Sequence, residues 1–151
     1  MKKTLSFLLM LVMVATVFSC KKKDPELTPA QKIVGKYKNT ASTSTISGVT
    51  TNDLDGRPAC QADDISEFTS DGKLLFSEGA TSCTPPNTFA GTGTYILSAD
   101  GKSITITFTD GSSSDTQVYT VQELTGAILK LSTSFTFAGI TATSNITLTK
   151  I

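Results

Sequence analysis

The chain has no histidine, no tryptophan, three cysteines and no surplus of either charge: 13 lysines and arginines stand against 13 aspartates and glutamates in 151 residues. Each shortage removes a class of function. Without histidine there is no imidazole to deprotonate a serine or cysteine near neutral pH, and no G-x-S-x-G elbow presents a serine. The expectation is a protein that is not an enzyme. The same absence removes the commonest metal ligand. The cysteines stand at 20, 60 and 83 and form no C-x-x-C, so neither a metal nor another cofactor is expected. From Val34 onward the basic residues are Lys36, Lys38, Arg57, Lys73, Lys102, Lys130 and Lys150, seven against eleven acidic ones. A mildly acidic domain without a basic cluster does not suit a phosphate backbone, so nucleic acid is not an expected partner.

Long hydrophobic runs are also scarce, and the one present is at the start. Lys2 and Lys3 precede an apolar stretch at residues 4–18, TLSFLLMLVMVATVF, and the small residue Ser19 follows. This is the layout of a secretory signal peptide, which places residues 1–19 outside the fold. A run of about 15 is short for a transmembrane helix, which needs about 20 apolar residues. The junction V-F-S-C, with Val17, Ser19 and Cys20, resembles a bacterial lipobox, although Phe18 is bulkier than that pattern usually holds. The resemblance implies cleavage before Cys20, a diacylglycerol on its sulfur and an acyl group on its new amino terminus (the palmitate-type anchor of a lipoprotein). Stable anchoring takes at least two such signals, which three chains satisfy. Lys21 in place of an aspartate after the lipidated cysteine implies, by analogy with lipoprotein sorting, the outer membrane of the cell envelope. Its periplasmic and surface faces are both open. With Cys20 lipidated, Cys60 and Cys83 remain as one pair in an oxidising compartment, where a disulfide is expected.

Residues 20–27 read as the anchor and a charged tether, KKKDPEL, whose seven residues reach at most about 24 Å. Its lysines either keep the tether solvated or touch anionic headgroups. The domain is expected over 28–151. Thr28-Pro29-Ala30-Gln31 has the cap, the proline and the glutamine of a short helix start, and Gly35 stops it after about two turns. No helical period follows. KSITITFT at 102–109 and ILKLSTSFTF at 128–137 alternate apolar residues with serine and threonine, the mark of strands with one buried and one wet face. Asp71-Gly72, Asp100-Gly101 and Asp110-Gly111 are hairpin signals, with Thr125-Gly126 and Ala138-Gly139 weaker ones. Eight strands are expected, at 36–47, 65–70, 73–78, 89–97, 102–109, 115–123, 127–137 and 140–150. The longer loops 48–64 and 79–88 hold Cys60 and Cys83, so the disulfide would staple the two together. Sequential antiparallel neighbours favour an all-β, eight-stranded up-and-down barrel with a short N-terminal helix; a β-sandwich is the alternative.

The domain carries Gly35-Lys36-Tyr37-Lys38, Cys60-x-x-Asp63-Asp64 leading to Phe68-x-x-Asp71-Gly72, then Cys83 and Gly93-Thr94-Tyr95. Asp100-Gly101-Lys102 and Glu123-Leu124-Thr125 before Leu129-Lys130-Leu131 follow. On these stretches it resembles the lipocalin-like domain of small lipoproteins of Gram-negative bacteria. The resemblance implies that Tyr37 holds the place of the tryptophan in a lipocalin G-x-W signature at the barrel base. No arginine follows Arg57 to cross that ring, which leaves Lys150 as a weak substitute. Phe68, Phe76, Phe89, Tyr95, Leu97, Ile104, Ile106, Phe108, Leu129, Leu131, Phe135 and Phe137 are the expected inward residues. A barrel of eight strands is either filled by such side chains or holds one small ligand. The partner is accordingly a small apolar molecule or an envelope protein, beside the membrane itself. Three sharper motifs read as ordinary structure. Asp63, Asp64 and Glu67 suit a turn with exposed carboxylates. Asn52 to Gly56 lacks the glutamate of a calcium loop. Gly91-Thr92-Gly93-Thr94 precedes a strand, where glycine relieves crowding, and so does not form a phosphate cradle.

Overall fold

Alternation decides which side of each strand is buried, and register then closes the sheet. The computed structural model describes residues 25–84, 92–110 and 113–151, so the signal peptide, Cys20, the tether as far as residue 24, Phe89 and the start of the expected 89–97 strand lie outside the described residues. Within them, a helix α1 (Pro29–Ile33) precedes nine strands: β1 (Gly35–Ile46), β2 (Val49–Asn52), β3 (Ile65–Phe68), β4 (Lys73–Ser77), β5 (Thr92–Leu97), β6 (Ser103–Asp110), β7 (Ser113–Leu124), β8 (Ile128–Phe137) and β9 (Ile140–Lys150). All pairings are antiparallel between neighbours, and β1 pairs with β9 to complete a ring of eight, with β2 added beside the upper part of β1. The sandwich alternative therefore falls away.

Cross-strand pairs show the two faces. Leu129 faces Leu148, Leu131 faces Ile146 and Tyr95 faces Ile106, all toward the lumen. Outside, threonines pair hydroxyl to hydroxyl: Thr107 with Thr116 at 3.0 Å, Thr136 with Thr141 at 3.0 Å and Thr45 with Thr50 at 2.8 Å. Threonine thus serves both as a β-branched strand former and as a wet surface. β1 serves two partners at once because it is long. Residues 35–38 pair with β3, and from Tyr37 upward its other edge pairs with β9, with a bulge between Asn39 and Ala41.

The expected loop 48–64 is shortened by the unforeseen strand β2. Residues VTTN carry no apolar alternation and all four are exposed. A two-residue turn forms the strand instead: Ser47 and Gly48 both have positive φ, at 50° and 82°, as a type I′ hairpin requires. Ala138 and Gly139 repeat this between β8 and β9. The helix is shorter than expected, because Val34 is already extended at φ −62°, ψ 126°. Its start carries the expected capping box, with the Thr28 amide donating to Gln31 Oε1 at 2.9 Å and the Gln31 amide to Thr28 Oγ1 at 3.3 Å. Among the described residues no helix is long and apolar enough to cross a membrane. The core gathers at the helix end of the barrel, around Ile33, Tyr37, Phe68, Leu74, Ile104 and Leu129, each almost wholly buried.

A candidate ligand site in the barrel lumen

The helix seals one end. An α-helix leaves its last carbonyls without partners, and here two side chains from the barrel supply them. The Tyr37 hydroxyl donates to the carbonyls of Ile33 at 2.9 Å and Lys32 at 3.2 Å. The Lys150 ammonium donates to those of Val34 at 2.7 Å and Lys32 at 3.0 Å, and stands 5.4 Å from the centre of the Tyr37 ring. Lys150 therefore occupies the place across the ring that the sequence left to it. Gly35 makes room: at its φ of +146°, an added Cβ would lie 2.7 Å from Lys150 Cε. Phe68 meets Tyr37 edge-on at 5.6 Å and Tyr95 edge-on at 5.1 Å. The Tyr95 hydroxyl donates to the Thr69 carbonyl at 2.7 Å. Burial pushes the Tyr37 phenol up to about 12, with a smaller push from Tyr95. It raises Tyr95 and Tyr119 as well.

Above this plug lies a cavity of about 260 Å³. Its apolar wall is Phe68, Leu74, Phe76, Ile106, Phe108, Tyr119, Leu131, Ile146 and Leu148. Phe76 and Phe108 stack within it, 5.7 Å apart. Its polar wall comes from one side, β1, β3 and the segment leading into β3: Asn39, Ser66, Arg57, Gln61 and Asp64, with the small Ala62 among them. At about 30 Å³ per water-sized unit, the volume holds roughly nine heavy atoms.

The open end is framed by the loops that Cys60 and Cys83 join, with Cα atoms 5.2 Å apart. Asp63 reinforces the staple by accepting the amides of Ala80 at 2.7 Å and Thr81 at 3.1 Å. The Cys83 amide donates to Glu78 at 3.3 Å. Asp63 and Asp64 were expected as exposed turn carboxylates. They are instead half-buried, because one bridges to the facing loop and the other borders the lumen. Glu67 does sit near the surface, 3.6 Å from Lys36. Asp53, in the stretch weighed as a calcium loop, accepts the hydroxyls of Ser42 at 2.8 Å and Ser44 at 2.9 Å and so ties the β2 end to β1.

The expected inward residues divide by height. Phe68, Phe76, Ile106, Phe108 and Leu131 line the cavity. Tyr95, Leu97, Ile104 and Leu129 lie in or against the core below it. Phe135 and Phe137 correct the expectation that they line a cavity. They share the lumenal side of β8 by alternation, yet are 67% and 78% exposed. The cause is where β7 and β8 part, since both strands continue beyond their shared ladder. The β7–β8 ladder rises only to Thr120 and Ser132, so above that level β8 pairs with β9 alone and its side chains overhang the rim. Leu74, Tyr119, Ile146 and Leu148 were not singled out, though each falls in phase within an expected strand. Asn39 had no signal, because β1 is polar on both faces. Arg57, Gln61 and Ala62 reach the lumen from a loop, where periodicity says nothing.

A closed antiparallel barrel of eight strands, with a helix across a sealed base and an open far end, is the lipocalin arrangement. A family model for the lipocalin-like domain matches residues 33–131, and the chain belongs to that family. Among solved structures it is similar to insecticyanin from the tobacco hornworm Manduca sexta, with a TM-score of 0.56 over 85% of this chain and 69% of that one. The two are 12% identical, so that likeness concerns the fold. A search of curated proteins returned no match.

Proposed function

We propose that this is a lipid-anchored envelope lipoprotein whose barrel takes up a small, largely apolar molecule through its open end, without catalysing a reaction on it. The observation that carries the lumenal part is the contrast between the two ends. Tyr37, Phe68, Tyr95 and Lys150 close the base, while an apolar-walled cavity of about 260 Å³ stands above them. Such a space, with few polar groups on one side, is the ordinary form of a small-molecule site. Native mass spectrometry of the protein after exposure to a lipid extract tests it. A retained small molecule, lost when Phe108 or Leu131 is enlarged to tryptophan, is the expected result, and an empty barrel under all conditions would refute it.

The anchor is supported by the sequence at residues 1–20 alone. A mature mass that begins at acylated Cys20 is expected, and Cys20→Ser should yield an unlipidated chain. Protease shaving of whole cells distinguishes the two faces of the outer membrane. A second reading, an interaction module, rests on one observation. Ile46, Val49, Phe135, Phe137 and Ile140, on the tips of two neighbouring hairpins, are each more than half exposed. Contiguous exposed apolar side chains mark contact surfaces. Crosslinking in intact cells that returns only the monomer would count against it.

A further inference from the structure

We propose that the upper end of β8 is a self-association edge, along which a second copy of this chain pairs its own β8 antiparallel. This names a partner for the exposed hairpin tips and rests on the interaction reading of them.

The edge exists because β7 and β8 part. Their ladder ends at Thr120 and Ser132, although β7 reaches back to Ser113 and β8 runs on to Phe137. Beyond it the Val118 carbonyl accepts the Thr133 hydroxyl at 3.0 Å in place of a β8 amide. A cleft of about 270 Å³ opens there, between residues 118–120 and 132–134. The tight turn at Ala138-Gly139 settles which β8 groups are left over. In a two-residue hairpin the flanking residues, here Phe137 and Ile140, bond each other, and the pattern alternates from there. Phe135 and Phe137 thus direct their amides and carbonyls to β9, whereas Ser134 and Thr136 direct theirs away from it. The Thr136 and Thr141 hydroxyls meet at 3.0 Å, as the closer side chains of a non-bonded pair do.

Open strand edges invite pairing with another chain, and folded proteins guard them by shortness, charge or proline. Two other edges near the open end are guarded. β2 has only four residues. β7 sets Asp115 opposite Phe108, an inward charge on its free length. β8 has no such device: residues 131–137, LSTSFTF, hold neither charge nor proline. Its two phenylalanines are more than half exposed.

The surroundings select the occupant. In the sheet behind this edge no side chain is charged from Asn39 to Asn52 or from Leu131 to Thr149. Such a face offers nothing to a partner chosen by opposite charge, and it brings no repulsion when it meets itself. Antiparallel pairing about a two-fold axis at Phe135 sets Phe135 opposite Phe135 and Phe137 opposite Thr133, all on one face. Ser134 then meets Thr136 of the second copy, which pairs the amides and carbonyls left over. A contact of this kind closes at two copies. The anchoring bilayer does not compete for the tips. Helix α1, which the tether would lead into, stands at the sealed base, and β1, with 12 residues, rises about 30 Å from it at the usual strand tilt. The tether expected at 21–27 spans at most about 24 Å.

The test is thiol crosslinking of the full chain in intact cells. Phe135→Cys adds one thiol to a chain whose Cys60 and Cys83 are bonded to each other, and the unaltered chain controls for Cys20. Under a mild oxidant Phe135→Cys should give a disulfide-linked dimer. Ile96→Cys, also at an exposed position, should stay monomeric. Ser134 is exposed, so Ser134→Lys guards the edge without entering the core, and it should lower the linked fraction of Phe135→Cys at least fivefold. A dimer that persists with Ser134→Lys would overturn the edge pairing. If Phe135→Cys stays monomeric like Ile96→Cys, the proposal falls. A link from it to a different protein removes the second copy and leaves the interaction reading standing, and no linked species of any kind removes that reading as well. The chain has no tryptophan, so Phe137→Trp supplies a single fluorophore. It should be unaffected by bromine-labelled lipids, and quenching by them would overturn the proposal in favour of a membrane surface.

Discussion

Replacing Lys150 with methionine keeps the aliphatic stem against Gly35 and removes only the ammonium. The structure sets the size of the loss. Two charged hydrogen bonds disappear, to the carbonyls of Val34 and Lys32 at 2.7 and 3.0 Å. A charged hydrogen bond contributes about 1.5–3 kcal/mol when buried, and this group is part-buried, so the pair is worth about 2–3 kcal/mol. The cation over the Tyr37 ring adds about 0.5–1 kcal/mol. A loss of roughly 3 kcal/mol corresponds to a fall in Tm of about 10 °C for a domain of this size. The comparison is Lys130→Met, which removes an ion pair to Glu123 of the same 2.7 Å length, but with side chains 46% and 36% exposed. Exposed pairs contribute about 0–1 kcal/mol. Urea titrations of the two variants followed by circular dichroism should separate them clearly. Lys150→Arg should lie between wild type and methionine, because it keeps the charge and brings a broader head to a narrow site. Equal losses in Lys150→Met and Lys130→Met would refute the view that the base is held shut by this lysine.

Three other outcomes follow from the same structure. Replacing Cys60 and Cys83 together with alanine opens a closure of 23 residues' separation, which the chain-entropy relation values at roughly 3–4 kcal/mol; an unchanged urea midpoint would show that Asp63 alone holds the loops. Gly93→Val places a Cβ 2.7 Å from the Thr107 carbonyl on the neighbouring strand and should cost about 1–3 kcal/mol as overpacking, read from the thermal midpoint. Burial holds the Tyr37 phenol at about 12, whereas in the unfolded chain it titrates near 10. Between these values the unfolded state binds fewer protons, so stability present below about pH 10 is lost as pH rises through about 12. Tyr37→Phe should flatten that decline in urea midpoints measured from pH 8 to 12, with some slope left by Tyr95 and Tyr119; a slope identical to wild type would contradict the buried phenol.

Strand periodicity was legible wherever a strand is wet on one side and dry on the other, which is why β6 and β8 could be drawn residue by residue. It failed where that contrast is missing. β2 is exposed throughout and owes its existence to a Ser47–Gly48 turn whose φ signs happen to suit a hairpin. Asn39 is a polar residue among the serines and threonines of β1, and only the closure of β1 on both β3 and β9 makes its oxygen a buried one. Phe135 and Phe137 keep the inward phase that alternation predicts, but phase does not say how far β8 stays paired to β7.

By itself the sequence determined the faces of the half-wet strands, the turns at 71–72, 100–101 and 138–139, the helix cap and the cysteine pair, because each depends on neighbours a few residues away or on a count. The tertiary structure alone decided that Lys150 reaches the carbonyls of Lys32 and Val34, that Asn39 and Asp64 border one cavity, and that Phe135 lies outside it. These depend on register around a closed ring, where residues more than a hundred positions apart become neighbours through the sum of every hairpin between them.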